Sequence, residues 1–337
     1  MSKTAIETQH DRPALPARQL PWRVLRALVE VRELTTLIFV LLIGTYLSIV
    51  SPHFLTVPNL TVVALGMSIN AIVAVGMTIL LVLGGFDLSV GATLAVAGAL
   101  AGLYAKSGGP VPVAVAVGLT TGLVVGLING VCVARVGINP LIQTLGMLSI
   151  LRGATLLIAG GYGVTTLPSS FNSLGQTVSL GLQTPIWVML AVVGIGDLLL
   201  RRTRLLRQAY YIGGNEKAAR LSGINVDRVK IGGYVLSALL ASLAGVLLAA
   251  RFGAASVSAG QGIELAVIAA VVIGGASLSG GEGTILGALL GVLLMELISN
   301  GLNLLGVAVY WQPIVIGLVL IVAVALDALS RRLKRIG

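Results

Sequence analysis

The chain has 337 residues, of which 56% are hydrophobic and only 10% are charged, and its formal net charge is +10. A soluble domain carries about 25% charged residues, so this composition excludes a soluble protein with a large core. Aromatic residues make up 4% of the chain, too few for a surface that stacks nucleic-acid bases. The basic residues are clustered instead: six precede residue 33, eight lie in residues 201–230 and four follow residue 330. This distribution is typical of basic residues retained on the cytoplasmic side of a membrane.

The first part of the chain, residues 1–33, lacks the apolar core and small-residue cleavage site of a signal peptide. We predict a cytoplasmic tail there. Within it, residues 20–34 mix apolar and basic side chains, which suits either a short helix on the membrane surface or a solvated segment.

Apolar runs of the length that spans a bilayer follow this tail. They cover residues 34–51, 60–83, 88–106, 111–134, 138–160, 184–200, 229–251, 262–279, 283–303 and 309–327. Six runs precede the central basic cluster and four follow it, and because both numbers are even, all three basic clusters fall on one side. We predict an all-α integral membrane fold with about ten transmembrane helices, although counts of eight to eleven also fit the hydropathy. The membrane domain would cover residues 34–330, and residues 331–337 would form a basic cytoplasmic tail.

Glycine recurs every four residues in two of the apolar runs. One stripe lies in the fourth run and the other in the ninth: Gly118, Gly122, Gly126 and Gly130, and Gly283, Gly287 and Gly291. This spacing places the glycines along one face of a helix and predicts close crossing of another helix.

Two pairs of short motifs raise the question of an internal repeat. Residues 84–91 are similar to residues 274–281, and residues 127–130 are similar to residues 298–301. With ten spans, the first pair joins equivalent membrane sides and the second joins oppositely oriented helices, so one duplication does not explain both. Inverted repeats are common in transporters, and an inverted repeat is kept as an open alternative.

A basic, glycine-punctuated segment at residues 201–228 separates the two groups of apolar runs. Asn215 is a favourable N-cap, Glu216 places a carboxylate at the positive end of a helix, and Gly223 suits a left-handed helix end. We predict a helix of about two turns on the cytoplasmic side. It is either an ordinary polar connector or a surface that receives force from a partner. No P-loop sequence is present, so any nucleotide hydrolysis would take place on another chain.

Polar side chains within or near the apolar runs are costly in lipid and should face the bundle or a water-filled path. Glu296, Asn300 and Asn303 fall on one helix face, and amides suit carbohydrate hydroxyls because they both donate and accept. The substrate-path candidates are Asn70, Asp87, Asn129, Gln143, Glu264, Glu296, Asn300 and Asn303, and Arg152 is a further polar residue inside a run. Interhelical hydrogen bonding is the competing interpretation for each, and Asp87 would cap a helix that starts at Leu88.

Several motifs occur in a fixed order along the chain. They are LGGFDLSVG at 83–91, NPLIQTLGMLSILRG at 139–153, IGGNEKAARLSGIN at 212–225 and AVVIGGASLSGG at 270–281, with shorter ones at 300–306 and 310–312. Together they resemble the permease subunits of bacterial ribose/xylose/galactose-type ABC importers. The resemblance runs from about residue 55 to residue 327 and departs from the family at Phe86, where isoleucine is usual.

The resemblance implies a multi-pass permease of the bacterial inner membrane with both termini in the cytoplasm. Its partners would be a second permease, identical or related, two ATP-binding subunits or one duplicated subunit, and a periplasmic or lipid-anchored sugar-binding protein. The ATPase-coupling residues would be Gly213, Gly214, Asn215, Glu216, Lys217, Ala218, Ala219, Arg220, Leu221, Ser222 and Gly223. ATP and magnesium would bind to the partner, and this chain would bind no cofactor.

We therefore expect a transport subunit, not an enzyme, that moves a monosaccharide or related polyol by alternating access. Other small solutes, such as a signalling furanose or a branched-chain amino acid, remain alternatives. An ion-coupled secondary transporter is a further alternative, for which Glu264 and Glu296 would supply titratable groups. A membrane-embedded enzyme is disfavoured because the sequence lacks metal-binding and nucleophile motifs.

Overall fold

Apolar helices form nearly all of the fold, because a helix satisfies its own backbone hydrogen bonds in lipid. The computed structural model describes residues 32–308 and 310–336. The predicted tail and surface helix lie outside these residues, except that Arg32 and Glu33 begin the first helix. The helices are α1 (Arg32–Val50), α2 (Val57–Val82), α3 (Val90–Lys106), α4 (Val111–Val131), α5 (Pro140–Ile158), α6 (Ser169–Gln176), α7 (Thr184–Arg202), α8 (Arg204–Gly214), α9 (Glu216–Leu221), α10 (Val226–Phe252), α11 (Ile263–Ile273), α12 (Ile285–Leu304) and α13 (Trp311–Ile336).

Two smaller elements complete the order. A π-helical turn, Cys132–Val136, continues α4. A hairpin of β1 (Val178–Ser179) and β2 (Leu182–Gln183) pairs antiparallel and precedes α7.

Within the described residues, seven helices are long and apolar enough to cross a membrane: α1, α2, α4 with its π turn, α5, α7, α10 and α12. The apolar helices α3, α11 and the first part of α13 are shorter. Each of the predicted runs contains an apolar helix, which confirms the all-α membrane fold. The count of ten full spans stays a prediction.

The run predicted at 262–279 was too long for the helix that it contains. Helix α11 has 11 residues and ends at Ile273, and residues 274–284 form a loop in which Gly275, Gly280, Gly281 and Gly283 have positive φ. Positive φ is accessible to glycine at little cost but is incompatible with a continuing right-handed helix. Hydropathy alone could not reveal this break, because the loop residues are small and uncharged over most of its length.

The longest helix, α10, lies at the centre of the bundle and packs against α2, α3 and α4. Glycines permit this packing. A Cβ atom on Gly76 of α2 would come within 2.6 Å of the Ser237 Cα, and a Cβ on Gly122 of α4 would come within 2.5 Å of the Ala238 carbonyl oxygen. The predicted close crossing at the α4 stripe is therefore confirmed, and its partner is α10.

Gly287 and Gly291 of the second stripe lie where α12 crosses α11, whereas Gly283 lies in the preceding loop and not on the predicted helix face. A Cβ on Gly287 would overlap the Gly274 carbonyl, and one on Gly291 would overlap the Ala270 carbonyl. The predicted close crossing is confirmed here too. On its other side α12 packs against α1, which is peripheral and exposes large apolar side chains such as Leu41 and Ile49.

We expect the contact between α3 and α10 to tolerate no added side chain. A Cβ on Gly245 would overlap the backbone of Leu94, whereas a Cβ on Gly232 of the same helix meets no atom within 4 Å. Gly245→Ala should lower the free energy of unfolding by about 1–3 kcal/mol through overpacking. Gly232→Ala should leave it unchanged or raise it by up to about 1 kcal/mol, because alanine favours the helix.

Thermal unfolding of the detergent-solubilised protein measures both effects. Equal transition midpoints for the two variants would contradict the close packing of α3 on α10.

Candidate coupling surface and polar sites in the bundle

The local sequence defines both ends of the short helix α9. The Asn215 side chain accepts a hydrogen bond from the Ala218 N–H at 3.0 Å, and Gly223 has a φ of 81° just after the last turn. The predicted N-cap and helix end are confirmed. The preceding helix α8, whose N-cap Thr203 accepts from the Leu206 N–H, was not predicted.

Four charged side chains join α9 to the start of α10. Glu216 Oε2 accepts from Lys230 Nζ at 2.7 Å, while Arg220 Nη2 lies 3.1 Å from Glu216 Oε1 and 2.7 Å from Asp227 Oδ1. We call Glu216, Arg220, Asp227 and Lys230 the ion-pair clamp. The hydrogen bond from Lys230 is the main cause that lowers the pKa of Glu216 below its ordinary value, so this carboxylate is ionised at neutral pH.

A second connection runs through glycine backbone at the end of α8. A Cβ on Gly280 would lie 2.9 Å from the Cα atoms of both Gly84 and Gly213. The Gly281 N–H donates to the Val82 carbonyl at 2.9 Å, and Gly213 packs directly on these two groups. We call Gly84, Gly213, Gly280 and Gly281 the glycine junction. Three separate parts of the chain meet there without intervening side chains.

Further contacts place the coupling segment at the same end of the bundle as the start of α1. The Tyr210 hydroxyl donates to the Gly283 carbonyl at 2.7 Å, and the neighbouring Thr284 hydroxyl donates to Glu33. The central basic cluster and the start of α1 therefore lie at one end of the bundle. That this end faces the cytoplasm stays a prediction.

The predicted coupling residues divide into four groups. Gly213 belongs to the glycine junction, Glu216 and Arg220 belong to the clamp, and Ala219 is 4% exposed against the bundle. The remaining residues are exposed at the surface: Gly214, Asn215, Lys217, Ala218, Leu221, Ser222 and Gly223. Leu221 is 91% exposed, so an apolar side chain projects from an otherwise small and polar surface.

Three substrate-path candidates form one hydrogen-bonded chain. The Ser89 N–H and hydroxyl donate to Asp87 Oδ1 at 2.8 and 2.5 Å, Asn129 Nδ2 donates to Ser89 Oγ at 3.0 Å, and Gln143 Nε2 donates to Asn129 Oδ1 at 3.1 Å. The chain joins α4 and α5 to the start of α3, which begins at Val90 rather than at Leu88. Sequence reasoning missed Ser89, although a polar side chain before an apolar helix was a usable signal.

The two asparagines that share a helix face with Glu296, Asn300 and Asn303 of α12, form hydrogen bonds to other helices. Asn300 and Asn59 of α2 exchange two amide hydrogen bonds at 2.8 and 3.1 Å, and Asn303 accepts from Gln312 of α13 at 3.0 Å. These are the interhelical bonds of the competing interpretation. Asn59 was not singled out, because nothing in the sequence relates it to a residue 241 positions away.

The acidic candidates lie in two different places. Glu296 lies beside Asn70, within electrostatic reach of Arg251, and its carboxylate packs on Gly66. Glu264 lies at the start of α11, where it accepts from the Gly262 N–H at 3.3 Å. The structure therefore does not unite the candidates in one site, and contact of any of them with substrate stays a prediction.

The clamp predicts a pH-dependent contribution to stability. The lowered pKa of Glu216 means that its pairing with Lys230 stabilises the fold fully above pH 4.5, the ordinary value, and that this contribution is lost as the pH falls through the lowered pKa. A double-mutant cycle of Glu216→Gln and Lys230→Gln should give a coupling energy of about 0.5 kcal/mol at pH 7, since solvent screens a half-exposed pair.

Thermal unfolding of the four proteins, at pH 7 and at a series of falling pH values, measures this coupling. A coupling energy indistinguishable from zero at pH 7 would show that the pair does not form.

The family model described as "Branched-chain amino acid transport system / permease component" matches residues 59–324. The ribose import permease protein of Escherichia coli strain K12 is 44% identical over 299 residues, covering 88% of this chain and 93% of that protein. The ribose import permease protein of Bacillus subtilis strain 168 is 43% identical over 293 residues, covering 86% and 90%. The L-arabinose transport system permease protein of Escherichia coli strain K12 is 39% identical over 284 residues, covering 84% and 87%.

No solved structure gives a significant match. The sequence matches confirm the resemblance that the ordered motifs indicated. The chain therefore belongs to the family of permease components of branched-chain amino acid type transport systems.

Proposed function

We propose that this chain is the membrane-spanning subunit of an ATP-driven importer for a monosaccharide or a related polyol. The similarity to proteins named ribose and L-arabinose permeases supports the substrate class. The family description supports a second candidate, a branched-chain amino acid. Ribose and arabinose are both pentoses, and identities of about 40% over most of the chain favour a sugar.

The chain is a multi-pass membrane permease and not an enzyme, and permeases of this kind work with ATP-binding and substrate-binding components. In the proposed assembly, a second permease pairs with this one and two ATP-binding subunits, or one duplicated subunit, dock beneath. ATP and magnesium bind on those subunits. A periplasmic or lipid-anchored binding protein delivers the sugar to the opposite face, and both termini of this chain lie in the cytoplasm.

The observation that carries this proposal is the exposed face of α9. A helix of six residues is not stable alone, yet α9 is braced by the clamp and leaves Leu221 free. Apolar side chains that project from small, polar surroundings are typical anchors of protein interfaces. A conformational change in an ATP-binding subunit that binds Leu221 would move α9 and α10 together.

Motion of α9 would reach the bundle by two routes. The clamp transmits it to α10, and the glycine junction transmits it to the end of α2 and to the loop at 274–284. Packed interfaces respond by switching between discrete arrangements, and such a switch would expose the path alternately to the two sides of the membrane.

Loss of the Leu221 anchor should separate the permease from its ATPase. Leu221→Asp is expected to weaken copurification of the ATP-binding subunit at least tenfold and to reduce uptake similarly, because a buried interface anchor contributes about 2 kcal/mol or more. Leu180→Asp is the matched control: Leu180 is also 91% exposed, but it lies in the hairpin between α6 and α7. Normal copurification of the Leu221 variant would remove α9 from the interface.

An uptake assay identifies the substrate and the energy source. It uses proteoliposomes that contain the permease with its ATP-binding and binding-protein partners. Labelled ribose or L-arabinose should accumulate only with internal ATP, and labelled leucine should not. Accumulation of leucine would establish the second candidate. Uptake by the permease alone, driven by an ion gradient, would establish a secondary transporter.

A further inference from the structure

The two short helices α3 and α11 begin beside each other inside the bundle. Gly260, just before α11, packs against the backbone of Gly91 at the start of α3. One turn later, Leu94 of α3 packs against Gly245 of α10, well inside that 27-residue helix. Short helices whose ends meet within a membrane bundle are typical of transporter substrate sites, because their unpaired backbone groups can face a polar solute.

The two helices lead from this point to opposite ends of the protein. Helix α3 ends at Lys106, whose amino group donates to the Thr165 carbonyl in the loop before α6. Helix α11 leads into the loop at 274–284, which forms part of the glycine junction. The meeting point therefore connects to the coupling end through one short helix and to the far end through the other.

Opposite charges converge on the same place. Arg152 of α5 donates through Nη1 to the carbonyls of Ala259 at 2.7 Å and Val257 at 3.5 Å, and it lies within electrostatic reach of Glu264. The Glu264 carboxylate packs against Gly91. Among the residues that the structure describes, Arg152 Nη2 and Glu264 Oε2 are buried without a hydrogen-bond partner. A buried polar atom without a hydrogen-bond partner is costly, so these two atoms are available to a bound solute.

A cavity of about 210 Å³ borders the loop that Arg152 binds, with Ala259 in its wall. Its walls include Leu94 and Gly98 of α3, Gly245 of α10, and Ser258 and Ala259 of the loop that Arg152 holds. An engineered cavity of about 150 Å³ holds a benzene molecule, so this volume is on the scale of a small solute. The walls combine apolar helix faces with a polar loop, as in sites for small molecules.

We propose that Arg152 and Glu264 form a substrate-contact site that binds a hydroxyl group of the transported sugar. A hydroxyl both donates and accepts, so one such group accepts from Arg152 Nη2 and donates to Glu264 Oε2. This proposal rests on the proposed function and names the residues that recognise its substrate.

The number of polar atoms without a hydrogen-bond partner favours a sugar hydroxyl over an amino acid as the ligand. A carboxylate that binds an arginine end-on takes both terminal nitrogens, but Arg152 Nη1 already donates to Ala259. Glu264 Oε1 already accepts from Gly262, which leaves Oε2 as the carboxylate oxygen without a partner. One unpartnered nitrogen atom and one unpartnered oxygen atom suit a hydroxyl of a neutral polyol better than the two charged groups of a zwitterion.

The test uses the complete complex in proteoliposomes, with the wild-type binding protein throughout. Uptake of ribose is compared with uptake of each monodeoxyribose for the wild-type permease, Glu264→Gln and Arg152→Lys. The measured quantity is the ratio of ribose uptake to deoxyribose uptake. Because the binding protein is the same in every assay, its own preference for ribose cancels when this ratio is compared between permeases. For at least one of the deoxy sugars the ratio should fall at least tenfold in both variants, since hydrogen bonds to charged groups are strong. Binding-protein-stimulated ATPase activity should persist, and Lys106→Gln serves as a charge control.

A structural ion pair would give a different result. The double variant Arg152→Glu with Glu264→Arg would then restore thermal stability and uptake together, and this outcome would overturn the proposal. Unchanged ratios in both single variants would also overturn it. If the wild-type complex imports no sugar at all, the proposed function fails, whereas normal sugar import with unchanged ratios removes only the Arg152–Glu264 site.

Discussion

Close backbone packing against α10 is the constraint on which the rest of the structure depends. Gly76, Gly98 and Gly122 bring α2, α3 and α4 so near to α10 that a Cβ at any of the three positions would collide with it. Lipid tails provide little drive for helices to associate, so van der Waals contact at small residues must supply the attraction. Because α10 is held on three sides, a displacement of its first turns has to be shared by its neighbours rather than absorbed locally.

The two links between the coupling segment and the bundle differ in kind. The ion-pair clamp depends on attraction between flexible, partly hydrated side chains, which is individually weak. The glycine junction depends on direct contact between backbone atoms. These contacts can change only if the chain segments that carry them move as a whole. The clamp fixes the orientation of α9 on α10, and the junction joins α8 to α2 and to the loop that follows α11. Through that loop, the proposed ATPase surface connects with the place where α3 and α11 begin.

Local features of this fold could be predicted from the sequence, and long-range ones could not. The ends of α9 follow from Asn215 and Gly223, and the two close helix crossings follow from glycine spacing, because each depends on residues within a few turns. The pairing of Asn59 with Asn300 and the contact of Gly91 with Gly260 depend on tertiary proximity that no local pattern encodes. The end of α11 at Ile273 was missed for a related reason: small apolar residues suit both a helix and a tight loop. The predicted coupling residues form one group in the sequence, but their division between clamp, junction, buried contact and exposed face required coordinates.

The exposure of the clamp makes it responsive to the surrounding electrolyte. The side chains of Glu216 and Arg220 are 42% and 47% exposed, so mobile ions can weaken their attraction. The screening distance shrinks from about 10 Å at 0.1 M salt to about 3 Å at 1 M. In the proposed orientation the clamp faces the cytoplasm. A rise in ionic strength there would weaken the attraction between α9 and α10, whereas the steric contacts of the glycine junction would not change.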